Sequence, residues 1–300
     1  MRANANNVRA RIGVRGAILR TLPSVFLALM VFIFCFPLIF LLVGSFMGEA
    51  ELQSSLAGIV TSKAGDAMFP PVPQYPTLMP YINVLVDSAD FFPLFWNSVA
   101  IVALVLLGQM LFALPAAWAF ARYEFRGRRA LFFCYILVMM MPFQVMMLPE
   151  YLVLNSLGLL DSIFALVIPG VFSAFPVFIL YHFFKRIPTS IFDAARVDGA
   201  SEFSQLVHIG IPLAKPGIFA TLLLGFLEYW NLIEQPLVFL RDKTTWPISL
   251  FLPSMGLEHA SIVFVTAVIT SIPAILVFLL GREYLEQGIG AFAKEESAST

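Results

Sequence analysis

The stretch that decides the fold is residues 193–212, DAARVDGASEFSQLVHIGIP, a polar interruption between two long apolar runs. Just upstream, Ser190 can cap a short helix, with Asp193 three residues on as the partner of a capping box. Gly199 supplies a C′ position, where φ can turn positive without a Cβ penalty. A second short helix can begin at Ser201 and is expected to stop before Pro212, which has no N–H to continue it. Two short helices joined at a glycine make an angled elbow. Its apolar residues, Ile191, Phe192, Ala195, Phe203, Leu206 and Val207, exceed what a free loop needs and predict a docking surface.

Outward from the elbow the chain is apolar. Of its 300 residues 60% are hydrophobic and only 12% charged, and the mean hydropathy is +0.88. These values lie outside the range of soluble domains and predict an all-α polytopic membrane protein. The two cysteines, Cys35 and Cys134, fall within apolar runs, so buried thiols rather than a disulfide framework are expected. The polar, arginine-bearing N-terminus and the length of the first apolar run argue against a cleavable signal peptide.

Six runs are long enough to span a hydrocarbon core, which takes about 20 helical residues. They lie at 23–45, 94–121, 130–147, 162–184, 217–240 and 261–281, with Pro142 marking a bend in the third. The expected divisions are a tail at 1–22, a first span at 23–45, a loop at 46–93, the main transmembrane domain at 94–283 and a tail at 284–300. Fifteen of the 18 Lys and Arg residues fall in the N-terminal tail, the loops after spans 2 and 4, and the C-terminal tail. Only Lys63, Arg241 and Lys243 fall on the opposite side. The positive-inside rule therefore puts both termini and the elbow in the cytoplasm. The remaining long segment, with Pro70, Pro71, Pro73, Pro76 and Pro80, is external and too long for a simple hairpin. Its residues 80–86 and 91–94 suit a short surface helix leading into span 2. No repeat or inverted duplication is visible, which disfavours a stand-alone two-half transporter.

Several chemistries are excluded. There is no Walker A pattern and no HExxH. His182, His208 and His259 have no ligand spacing between them, so neither a metal site nor a cofactor is expected, and nothing points to nucleic acid. Polarity enters the membrane in span 5, FLEYWNLIEQPLVFL, where Glu228 falls about 15 Å from the start of the span. Read as a continuous helix, that span puts Glu228, Asn231 and Gln235 on one face, with Glu234 a third of a turn away beside Trp230. Pro236 withholds a hydrogen bond from the carbonyl of Leu232. Glu228, Tyr229, Trp230, Asn231, Glu234 and Gln235 are therefore candidates for a translocation path. Alternatively, the same groups pair with a neighbouring helix or subunit and hold a bundle together. The run MMMPFQVMMLPEY, residues 139–151, offers five methionines that suit either a repacking surface or an ordinary core.

The elbow resembles the EAA motif of the membrane subunits of ATP-binding-cassette importers, roughly EAA, two residues, DGA, eight residues, I-x-L-P. Here Asp193-Ala194-Ala195, Asp198-Gly199-Ala200, Ile209, Ile211 and Pro212 fill the pattern, with Asp193 in place of Glu and Ile211 in place of Leu. Residues 142–162, Ile187-Pro188, residues 212–217 and Tyr229-Trp230-Asn231 are similar to the second permease subunit of the carbohydrate-uptake branch. The resemblance covers residues 75–290. It implies a type I importer in the prokaryotic inner membrane, with two permease subunits, two cytoplasmic ATPase subunits and an external solute-binding protein. It also implies that Asp193, Ala194, Ala195, Asp198, Gly199 and Ala200 dock in a cleft of the ATPase, and that the elbow between spans 4 and 5 transmits its motion. ATP hydrolysis then belongs to a partner, and no catalytic residue is expected here. Two other readings stand beside this one. The chain could complete a pore whose partner holds the sugar, or it could be a polytopic membrane enzyme using Glu228 or Glu234, which as a dyad are poorly aligned.

Overall fold

The computed structural model describes residues 2–60, 72–254, 256 and 259–298, with side chains at 23–56, 72–252, 256 and 259–284. Lys63, Pro70 and Pro71 lie outside the described residues, as do the side chains of the N-terminal arginines and of Lys294. Among the described residues the chain forms helices and turns and no strand.

Two units are distinguished, and each has its own core. The first comprises residues 1–84 and 257–268. It contains α1 (Arg2–Gly44), which begins well before the span expected at 23, and α2 (Glu49–Val60), a helix inside what reads in sequence as a loop. Met47, Leu52, Leu56, Ala260 and Phe264 are buried together, and the Phe40 and Phe264 rings lie 5.3 Å apart. Glu49 accepts hydrogen bonds from the backbone N–H groups of Ala260 and Ser261 and from the Ser261 hydroxyl. A carboxylate from α2 thereby satisfies donors that the start of α15 (Ala260–Ala298) leaves unpaired. The short α3 (Met79–Ile82) passes into a π-turn at Asn83–Asp87. The surface helix expected at 80–86 is present, but Phe91 already belongs to the next long helix.

The second unit, residues 85–256 and 269–300, is organised around α4 (Phe91–Arg122). Then follow α5 (Arg128–Met140), α6 (Phe143–Ser156), α7 (Phe164–Val171), α8 (Ala174–Arg186) and the elbow helices α9 (Thr189–Val197), α10 (Glu202–Gln205) and α11 (Ile211–Leu213). After them come α12 (Lys215–Trp230), α13 (Glu234–Phe239) and α14 (Ile248–Ser254). Helix α4 packs against α7, α8 and α12. Its C-terminal half contributes Ala113, Ala117, Trp118 and Ala121 to a cluster with Leu180, Phe183 and Phe184 of α8 and Phe192 of α9. The N-terminal half contributes Ile101, Val102 and Val105 to a second cluster with Ala165, Leu166 and Val167 of α7 and with Tyr229 and Trp230 of α12. Small residues set the helix spacing: a Cβ on Gly217 would lie 2.3 Å from the ring of Phe183.

Among the described residues, four segments are long and apolar enough to cross a membrane: Pro23–Gly44, Phe91–Arg122, Phe164–Arg186 and Ala260–Tyr284. Two bent pairs raise the number to six if each is one span. These are α5 with α6, bent by 104°, and Glu202–Leu213 with Lys215–Trp230, bent by 73°. The first bend falls where expected, since Pro142 takes an extended conformation (ψ 142) as the N-cap of α6. The expected continuous span at 217–240 is instead broken. Helix α12 ends at Trp230, and the Asn231 side chain donates back to the Leu227 carbonyl at 2.8 Å. Short amides compete with the helical ladder in this way, and Pro236 would have cost the next turn a hydrogen bond in any case. The Leu232 carbonyl that Pro236 leaves open accepts the hydroxyl of Ser249.

Cys35 and Cys134 are free and exposed on the chain rather than buried. The outward face of a spanning helix is as apolar as a core because lipid, not water, is its solvent, so an apolar run does not by itself mean burial within the chain.

Candidate functional site

The elbow is built from local signals and then locked from outside. Helix α9 starts two residues earlier than Asp193's spacing from Ser190 suggests. Pro188 is its N-cap, no side chain caps it, and Ser190 lies inside its first turn. The expected capping box is therefore absent, because Pro188 already sets the entry geometry with an extended ψ of 136. The C-terminus does end on Gly199, at φ +83. The Gly199 N–H reaches the Arg196 carbonyl at 3.0 Å and the Ala200 N–H reaches that of Ala195 at 2.9 Å, which is a Schellman closure. Ser201 caps α10 by accepting from the Ser204 N–H at 3.2 Å. Pro212 does not end the second arm. A π-turn at Leu206–Gly210 precedes it, with the Ile211 N–H bonded to the Leu206 carbonyl, and Pro212 sits in the first turn of α11, where no N–H is required of it.

The elbow's apolar residues divide between two faces. Phe192 is buried, edge-on to Trp118 at 5.2 Å, and Gln205 is also buried, its Nε2 donating to the Ala200 carbonyl at 3.0 Å. Leu206 packs inward against the same cluster. Ile191, Val197 and Phe203 face outward, Val197 with 88% of its surface exposed. Phe192 and Leu206 are thus anchors and not part of a docking face. Asp193, Ala194, Asp198 and Gly199 are exposed, with Ala195 and Ala200 partly covered.

Arg122 holds this elbow to α4. Its Nη2 donates to the carbonyls of Phe184 and Ile187, both at 2.8 Å, and its guanidinium lies 3.9 Å over the ring of Phe192. Beside it, Tyr123 donates to Glu202 at 3.1 Å, and Arg196 bridges Glu202 at 3.2 Å and Asp193 at 3.5 Å. Partial burial, and then the bond to Glu202, raise the Tyr123 phenol above its ordinary pKa. The counting of basic residues that orients the chain passed over Arg122 as a clamp; its signal was its place at the last turn of an apolar helix, where a cation can meet free carbonyls.

A cavity of about 440 Å³ lies at the break points of the bundle. Glu150, Glu228, Tyr229 and Gln235 line it, with Met139, Met141 and Met146 from the methionine run. Glu228 and Gln235 are thus brought together, although the continuous-helix argument that paired them does not apply. The same break separates Asn231, whose amide is turned back on its own helix. Trp230 is buried with its indole N–H on the Thr270 carbonyl at 3.0 Å, and Glu234 accepts from Gln144 at 3.0 and 3.2 Å. Tyr229 is buried at the cavity wall, its hydroxyl 3.4 Å from the Gly170 carbonyl, which also accepts from Gln109 at 2.9 Å. Glu150 was not among the residues singled out from sequence; a carboxylate directly after Pro149 in an apolar run was the available sign. Among the described residues no group of His, Cys, Asp and Glu has the geometry to hold a metal.

A helical membrane protein with broken spans around an acid-lined cavity, and a clamped elbow at one end, has the architecture of a transporter subunit. The family model of the binding-protein-dependent transport system inner membrane component matches residues 109–291, and the chain belongs to that family. It is a permease subunit of an ATP-binding-cassette importer, not an enzyme, and ATP hydrolysis resides on separate subunits. Relatives include the arabinooligosaccharides transport system permease protein AraQ of Halalkalibacterium halodurans, 29% identical over 91% of this chain and 95% of its own. The lactose transport system permease protein LacG of Rhizobium radiobacter is 26% identical over 90% and 96%. Among solved structures, the fold is similar to a chain of a bacterial transporter that imports the acidic polysaccharide alginate, with TM-score 0.77, 24% identity, and 89% and 96% coverage.

Proposed function

We propose that this subunit forms half of the translocation path for a sugar or related polyol and couples to a cytoplasmic ATPase through the elbow at 193–212. The observation that carries the path is the cavity, where Glu150, Glu228 and Gln235 offer acceptors for hydroxyl donors while Tyr229 offers an aromatic edge. Hydroxyl-rich solutes suit such a lining, and the names of the relatives, transporters of arabinooligosaccharides and lactose among them, support that class. The elbow's role rests on its exposed small and acidic residues, Asp193, Ala194, Asp198 and Gly199, with Ala195 and Ala200 at their edge. Its partners are two ATPase subunits, a second permease and an external solute-binding protein.

Glu228→Gln in the reconstituted importer tests the path. It is expected to leave the complex intact by size-exclusion chromatography, with basal ATPase preserved, and to change uptake about tenfold or alter solute preference. Weakened subunit association with normal uptake per assembled complex would instead make Glu228 interface glue.

The orientation, with both termini in the cytoplasm, follows from the charge asymmetry. In a background with Cys35 and Cys134 replaced by alanine, Gln74→Cys should react with an impermeant thiol reagent in intact cells. Arg126→Cys should react only after permeabilisation. The reverse pattern would invert the topology and remove the elbow from reach of any ATPase.

A further inference from the structure

At the elbow end of the second unit, between the turn joining α4 to α5 and the last turn of α8, lies a cavity of about 730 Å³ that the translocation path does not use. Arg128, Arg129 and Lys185 line it, against one carboxylate, Glu124. Among the described residues none of the three cations is ion-paired, so the cavity carries an uncompensated positive charge. Three cations converging on one hollow repel one another, an arrangement that a bound anion relieves. The walls are aromatic: Phe132 and Tyr181 pack with centroids 4.2 Å apart, and Phe125 also lines the cavity. The left-handed Gly127, at φ +87, turns the chain sharply enough to bring Arg128 and Arg129 to the rim at the start of α5.

We propose that this cavity binds a phosphate-bearing anion. Both α5 and α8 run from the cavity into apolar segments, so its basic rim stands where the charged layer of a bilayer meets the hydrocarbon. The aromatic walls suit the glycerol and upper acyl region of a lipid, while Arg128 and Arg129 supply planar donors to phosphate oxygens. A free inorganic phosphate offers the same chemistry to the cations but leaves the aromatic walls unused. The site is independent of the solute cavity.

The test is native mass spectrometry of the full importer complex released from nanodiscs of phosphatidylglycerol and phosphatidylcholine, with inorganic phosphate titrated in a second arm. Preferential retention of phosphatidylglycerol is expected, reduced roughly fivefold for each of Arg128→Gln, Arg129→Gln and Lys185→Gln, on the scale of a juxtamembrane charge near an anionic surface. Glu124→Gln should raise retention by a similar factor, a gain that misfolding cannot imitate. Arg126→Gln, outside the lining, should leave it unchanged. Retention of phosphate but not of phosphatidylglycerol, with the same variant dependence, would assign the site to a free anion. Equal retention of both lipids with no phosphate binding, or retention that ignores the four lining variants, would overturn the proposal.

Discussion

Gly199→Leu is expected to abolish uptake while leaving insertion of the chain intact. The residue sits at φ +83 and nothing lies within 4 Å of the position its Cβ would occupy, so the penalty is not a clash within this chain. It comes from the backbone: a branched side chain in the left-handed region costs on the order of 1–2 kcal/mol, and escaping that strain means opening the Schellman closure at Arg196 and Ala195. The angle between α9 and α10 then changes, and a bulky side chain projects from the exposed surface proposed to seat in the ATPase. Uptake and ATPase co-purification, measured together, check this. Gly199→Asn, which tolerates positive φ, should retain a substantial fraction of both. Normal uptake by the leucine variant would show that the exposed face of the elbow is not a docking surface.

Arg122 carries the second large effect. Removing its guanidinium takes the charged donor from the Phe184 and Ile187 carbonyls at the end of α8, leaving Phe184 only the 3.3 Å bond from the Ile187 N–H, and takes the cation off Phe192. Hydrogen bonds to a charged donor contribute about 1.5–3 kcal/mol, and an aromatic contact with the cation adds on the order of 1 kcal/mol. Arg122→Ala is therefore expected to loosen the elbow by several kcal/mol, seen as faster amide exchange across 184–200, and to uncouple ATP hydrolysis from transport. Arg122→Lys should rescue little, because a compact ammonium on a shorter stem cannot lie flat on Phe192 while reaching the two carbonyls. If the lysine variant transports normally, the clamp is a charge effect and not a geometric one.

The contrast between these two residues shows what could be read in advance. Gly199 was legible because a C′ glycine is a local signal, as were the start of the second arm at Ser201 and the bend at Pro142. The helical class followed from hydropathy, and the elbow's motif from short-range spacing. What escaped reading depended on partners distant in sequence. Pro188 displaced the capping box because entry into α9 is set by the α8–α9 connection. Phe192 looked like docking surface until Trp118 and Arg122, some 70 residues away, were in place. The expected face of Glu228, Asn231 and Gln235 assumed an unbroken helix. The structure reunites Glu228 and Gln235 by a different route, a break whose free carbonyl is claimed by Ser249, and adds Glu150 from another pair of helices. Hydropathy could not distinguish a thiol facing lipid from one facing a core, which is why Cys35 and Cys134 lie outside.

Helix α4 is fastened at both ends by side chains that grip backbone carbonyls. Arg122 holds the elbow end. At the other, Asn97 donates to the carbonyls of Thr244 and Trp246 at 2.7 and 3.1 Å, and the neighbouring Ser98 hydroxyl accepts from the Ile248 N–H at 2.8 Å. At 1.5 Å per residue, the path from Asn97 to Arg122 is about 38 Å. Such a helix acts as a crank arm: a tilt of about 5° at the clamped elbow displaces the far end by about 3 Å, roughly two residues of helical rise. Because the far fastenings grip main-chain atoms, the 244–248 segment is carried with it whatever side chains that segment bears.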